Sequence, residues 1–128
     1  MTSKGKVLLM DDEQIILDVT LEVLGFLGYE VQFAREGAAA LGLYKKEKEA
    51  GVPFDVVILD LSVPEGMGGR EAIVGLRAYD PAVKAVVSSG YSNDPVVQNF
   101  EQYGFSARLS KPYKINDMKT ILEHLIQK

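Results

Sequence analysis

The chain reads as an α/β domain on a parallel sheet, and three observations carry that expectation. Five short, nearly all-apolar runs alternate with segments of helix length, as strands buried on both faces do. Turn and stop residues separate them, namely Gly28, Gly51-Val52-Pro53, Asp80-Pro81 and Gly104. Several runs end on chemistry-bearing residues: Asp11 and Asp12, then Asp60, then Lys111.

The first strand is placed at residues 7–10, before the acidic triplet Asp11-Asp12-Glu13. Ile15, Ile16, Val19, Val23, Leu24 and Leu27 then recur at helical spacing up to Gly28, which suits a helix C-terminus. Residues 29–34 form the second strand. A helix follows over 36–49, apolar through Ala40, Leu41, Leu43 and Tyr44, its last turn solvated by Lys45 to Glu49. The third strand ends at Asp60. Residues 61–69 are irregular and lead into a short helix that stops at Asp80-Pro81. The fourth strand is expected at 83–88. Asp94 is an N-cap candidate with Pro95 at the first helical position, opening a helix that Gly104 ends. The fifth strand spans 107–110, and Ile115, Met118, Leu122, Leu125 and Ile126 stripe a final helix.

Composition bounds the function. A chain of 128 residues with 47% apolar side chains fits one domain over 1–128. It has no cysteine, which excludes disulfides and thiolate metal sites and agrees with a reducing cytoplasm. The apolar runs are too short to cross a bilayer, and the opening residues carry no secretory segment. A net charge of −4 without a basic block argues against binding nucleic acid.

In a parallel sheet the carboxyl ends of all strands lie on one edge, where open α/β sheets bind ligands. Asp11, Asp12, Asp60, Ser88, Ser89 and Lys111 therefore converge. Capping alone would explain one carboxylate at a helix start. Two adjacent aspartates facing a third repel one another, and either a raised pKa or a cation resolves this. Mg2+ suits such an oxygen site. Lys111 reads either as a plain ion-pair partner or as a group for phosphoryl oxygens. Carboxylates, a divalent ion, hydroxyls and a lysine together meet the needs of phosphoryl transfer. No glycine loop of Walker type is present to hold a nucleotide, so the phosphoryl group must arrive on another molecule.

The ordered set Met10-Asp11-Asp12-Glu13, Leu59-Asp60-Leu61-Ser62-Val63-Pro64, Ser89-Gly90 and Lys111-Pro112 resembles the receiver domains of two-component response regulators, over practically the whole chain. The resemblance implies a flavodoxin-like (βα)5 fold with sheet order 2-1-3-4-5. It implies that Asp60 accepts a phosphoryl group from a phosphohistidine on a sensor histidine kinase or histidine phosphotransfer protein. Asp12, Asp60 and the backbone carbonyl of Ser62 would hold Mg2+ directly, and Asp11 through water. Ser89 and Lys111 would meet the phosphoryl oxygens, and the Lys111–Pro112 bond is expected cis. Such a domain is a switch that alters the binding of a downstream protein. It is scarcely an enzyme, since it does no more than gain and lose its own phosphoryl group.

Two positions depart from the family pattern. Arg108 stands where many receivers carry an aromatic switch residue, so it is read as an output contact or as a charge that keeps an edge strand soluble. The loop Pro64-Glu65-Gly66-Met67-Gly68-Gly69, together with Ser88 to Pro95, looks more like receivers attached to hybrid histidine kinases. His124 reads as an ordinary helix histidine, Tyr91 as a ring that either shields the site or fills loop space, and Met67 as cover for apolar surface. A degenerate receiver that binds proteins without phosphorylation is the alternative reading, and a flavodoxin-like phosphohydrolase is a third.

Overall fold

The computed structural model describes residues 3–64 and 66–126. Its five strands are β1 (Lys6–Met10), β2 (Glu30–Ala34), β3 (Val56–Asp60), β4 (Ala85–Ser89) and β5 (Ala107–Ser110). They form one parallel sheet in the order β2-β1-β3-β4-β5, as the family resemblance implied. The helices are α1 (Gln14–Leu27), α2 (Gly37–Glu49), α3 (Gly69–Tyr79), α4 (Pro95–Gln98) and α5 (Ile115–Leu125).

Every residue of β1, β3 and β4 is buried, because strand side chains alternate between faces and helices cover both. Val7, Leu9, Val56, Ile58 and Val86 pack with Leu17 and Leu24 of α1 and Met118 and Leu122 of α5. Leu8, Met10, Val57, Leu59 and Val87 pack with Ala40 and Tyr44 of α2 and Ile73 and Leu76 of α3. This two-sided core explains why the sequence shows runs rather than alternation. The edge strands behave differently: β2 and β5 each expose residues, Arg108 among them.

Strand limits shift slightly from those expected: β1 starts at Lys6, β2 at Glu30, and β4 runs from Ala85 to Ser89. Gly28 ends α1 in the left-handed conformation at φ 97°, and the Asp94 carboxylate caps Val96 N–H at 2.8 Å. The helix expected from Pro95 to Gly104 is a correction. α4 stops at Gln98, and a 3-10 turn occupies Phe100–Tyr103. At the break, Asn99 leaves helical geometry and its side-chain amide donates to Pro95 O at 3.0 Å. Pro95 O also keeps the helical bond from Asn99 N–H at 3.0 Å, and the chain turns out of the helix at Asn99 with φ −117° and ψ 39°.

Gly68 and Gly69 set α3 against the end of β3. A Cβ on Gly69 would lie 2.8 Å from Asp60 O, and one on Gly68 2.6 Å from Leu61 O. Gly69→Ala should therefore push the helix start off the Asp60 strand end and cost about 1–3 kcal/mol. Urea unfolding checks this, and an unchanged midpoint would show that α3 shifts freely.

Candidate functional site

β1 and β3 are neighbours, so Asp11 and Asp12 just past one strand meet Asp60 at the end of the other. One carboxylate oxygen from each of the three lies within 4.8 Å of the others. Lys111, one residue past β5, reaches into this cluster from the far edge of the sheet. Its Nζ is 2.6 Å from Asp11 Oδ2 and 3.2 Å from Asp60 Oδ1. Glu13 stands at 4.0 Å on the rim.

The three carboxylates differ in what they already hold. Asp11 is fully buried, with Oδ1 accepting from Glu13 N–H at 3.0 Å and Oδ2 taking the lysine. Asp60 is 4% exposed; its Oδ1 accepts from Ser62 N–H at 3.4 Å and shares Lys111. Asp12 is half-buried, and among the described residues no donor or cation engages its carboxylate. That leaves Asp12 able to ligate an ion.

Burial raises the pKa of Asp60 to about 6, and the charge of Asp11 adds to this against the opposing pull of Lys111 and Ser62 N–H. For Lys111 burial works downward, but the hydrogen bond to Asp11 and the charges of Asp60 and Asp11 outweigh it and raise the pKa. A fixed ammonium between two buried carboxylates balances one charge of three. The cluster is therefore electron-rich, oxygen-lined and short of positive charge, which is the environment a divalent cation or a phosphoryl group relieves.

The cluster opens on a cleft of about 480 Å3 whose wall includes Ile16, Asp60, Ser62, Ser89, Tyr91 and Lys111. Asp12 faces a second groove with Arg35, Glu36, Val63 and Pro64, so the acidic cluster lies between two openings. Ser89 is 6% exposed and its Oγ accepts from Tyr91 N–H at 3.0 Å. Tyr91 itself is 70% exposed at the mouth, so its ring does not seal the site. The Lys111–Pro112 bond is cis.

A profile of the response regulator receiver domain matches residues 7–123. The chain belongs to that family. Receiver domains are components of two-component systems and act as signalling switches rather than as ordinary enzymes. This receiver is 27% identical to sporulation initiation phosphotransferase F of Bacillus subtilis over 114 residues, covering 89% of this chain and 87% of that protein. It is 29% identical to sensor kinase CckA of Brucella abortus across its whole length, yet it spans only 13% of that kinase. Among solved structures, the receiver domain of sensor histidine kinase PA1611 of Pseudomonas aeruginosa superposes with a TM-score of 0.83 at 23% identity, covering 95% of this chain and 97% of that one. That crystal holds a magnesium ion coordinated in its active site cleft. Chemotaxis protein CheY4 of Vibrio cholerae gives a TM-score of 0.83 at 26% identity, over 94% of this receiver and 98% of that chain.

The remaining sequence candidates lie apart from the cluster. Arg108 is exposed on β5, beside a groove shared with Asp117, Thr120 and Ile121 of α5. His124 is exposed on α5, and Met67 packs on the core beside Gly37. Among the described residues no helix is long and apolar enough to cross a membrane. One residue escaped the sequence reading: Tyr113, whose hydroxyl is hydrogen-bonded to Ser88 Oγ. The signal for it was Ser88, one of two buried serines that end the otherwise apolar β4.

Proposed function

We propose that Asp60 is a phosphoacceptor and that this receiver, over residues 1–128, is a phosphorylation-controlled switch working in the cytoplasm. The observation that carries this is Lys111 Nζ bridging Asp11 and Asp60 at 2.6 and 3.2 Å beside an open cleft. A purely structural ion pair needs neither a third carboxylate nor an opening beside it.

The donor is a phosphohistidine on a sensor histidine kinase or a histidine phosphotransfer protein. An ionised Asp60 oxygen attacks phosphorus as the P–N bond breaks; the electron pair leaves with the imidazole nitrogen, and an acyl phosphate forms. Lys111 moves its charge from Asp60 to the new phosphoryl oxygens. Ser89, released from Tyr91 N–H, donates its hydroxyl hydrogen to one of them. Loss of the group by attack of water on phosphorus restores Asp60. The all-oxygen donor set fits Mg2+, with Asp12, Asp60 and the Ser62 carbonyl as ligands and Asp11 acting through water. Bound there, Mg2+ would supply the positive charge that one lysine leaves wanting.

Incubation with acetyl phosphate and Mg2+, followed by intact mass, tests the reading. A labile phosphoryl adduct is the expected result. Absence of an adduct favours a phosphorylation-independent binding module, and continuous phosphate release from unrelated esters favours a hydrolase.

Arg108 is proposed as an output contact, since an exposed guanidinium beside the β5–α5 groove can bind a target carboxylate. Arg108→Ala should change phosphoryl yield by no more than surface substitutions usually do, while weakening binding of the downstream protein. Normal binding with lost phosphorylation would place Arg108 in the reaction instead.

A further inference from the structure

Strand alternation gives the site a common floor. Ile58 and Val86 face the α1–α5 core, so Asp60 and Ser88, each two positions further along its strand, are directed to the same side, where Lys111 just past β5 reaches Asp60. Asp60 and Ser88 are register partners across β3 and β4. Ser88 is fully buried, and its Oγ is hydrogen-bonded to the Tyr113 hydroxyl. Its carbonyl accepts from Leu61 N–H at 2.9 Å, next to Asp60. The charges of Lys111, Asp11 and Asp60 all act on the Tyr113 hydroxyl, whose pKa burial above all raises to about 12. The hydroxyl pair thus lies within the electrostatic reach of the cluster.

Lys111 needs such support. It projects from a segment just beyond an edge strand, held by Lys111 N–H donating to Ser89 O at 3.0 Å, and its long stem is rotationally free when unsupported. Its ammonium already lies nearer Asp11 than Asp60. A small slackening of the 111–113 segment would let it settle on Asp11 alone.

We propose that Tyr113 is a positioning residue: its hydroxyl, anchored on Ser88 beside Asp60, fixes the segment that carries Lys111 and so sets the rate at which Asp60 takes a phosphoryl group. The inference rests on the phosphoacceptor reading above. Shifts near 1 Å at a reacting group are known to cost about 100-fold in rate, and loss of this anchor should cost about ten-fold.

The test compares wild type with Tyr113→Phe, Ser88→Ala and the double variant. Phosphorylation by acetyl phosphate with Mg2+ is timed by intact mass, Mg2+ affinity is titrated separately, and urea unfolding reports stability. Tyr113→Phe should lower the rate about ten-fold yet leave Mg2+ affinity within two-fold, because the hydroxyl it removes is hydrogen-bonded to Ser88, which is not a proposed ligand. The double variant leaves no buried hydroxyl unpaired, so it should regain stability lost in Tyr113→Phe while its rate stays low. A Tyr113→Phe rate within two-fold of wild type overturns the positioning role alone. So does a rate that recovers together with stability in the double variant. A wild-type protein that gains no adduct overturns the phosphoacceptor reading and this proposal with it.

Discussion

Asp60→Asn is expected to abolish the phosphoryl adduct and, in the metal-free protein, to stabilise the fold above pH 6. The amide keeps the shape of the side chain but is a poor nucleophile, so no acyl phosphate should form. The stability effect follows from a carboxyl pKa raised from 3.8 to about 6, first by burial and then by Asp11. In the unfolded chain the group ionises near its ordinary value. The stability that its protonated form contributes is therefore fully present below about pH 4 and is lost as pH rises through about 6. At 1.36 kcal/mol per pKa unit, the loss approaches about 3 kcal/mol. Asparagine never ionises, and Lys111 keeps Asp11 at 2.6 Å as its partner. The variant and wild type should therefore unfold alike near pH 4 and separate by up to that amount at pH 7. Parallel urea curves at the two pH values measure this. An equal gap at both would remove Asp60 as the titrating group, and a normal phosphoryl yield would end its assignment as acceptor.

Asp12→Ala is expected to remove most of the thermal stabilisation that Mg2+ confers, while Asp11→Ala should retain more of it. An ion bound only by the assembled cluster stabilises the native state by mass action, by about 2.7 kcal/mol at one hundred times its dissociation constant. Asp12 has a carboxylate free of protein donors among the described residues, whereas both oxygens of Asp11 are engaged, by Glu13 N–H and by Lys111. Metal-free stability should rank the other way. Removing Asp11 leaves Lys111 with Asp60 alone at 3.2 Å, empties a fully buried position and strips Glu13 N–H of its acceptor, a loss of about 1–3 kcal/mol. Removing Asp12 relieves repulsion at little structural cost. Thermal melts with and without Mg2+ separate the two roles, and equal shifts in both variants would overturn the ranking.

Much of this is legible in the sequence itself. Strands buried on both faces must be apolar throughout, so the runs in β1, β3 and β4 announced a parallel sheet covered by helices. Parallel strands put their carboxyl ends together, so Asp11, Asp12, Asp60 and Lys111 were expected at one edge, as they are found. Gly28 and the Asp94-Pro95 cap were readable because their conformational demands are local.

Tertiary structure decided what local rules do not reach. The break of α4 falls where the Asn99 backbone leaves helical geometry while Pro95 O accepts both Asn99 N–H and its side-chain amide, against a pattern that favoured one continuous helix. Which carboxylate stays free and which holds the lysine depended on side-chain directions at the ends of separate strands. Asp11 turns inward to Lys111 and Asp12 turns to the groove beside Glu36. The Ser88–Tyr113 pair joins residues 25 positions apart. Ser88 stands beside Ser89 and Tyr113 beside Pro112, but neither neighbour marks the pair. Periodicity determines which face a residue occupies; the contact itself arises only when β4 and the segment after β5 are laid side by side, because hydrogen bonds select partners by distance and direction rather than by spacing along the chain.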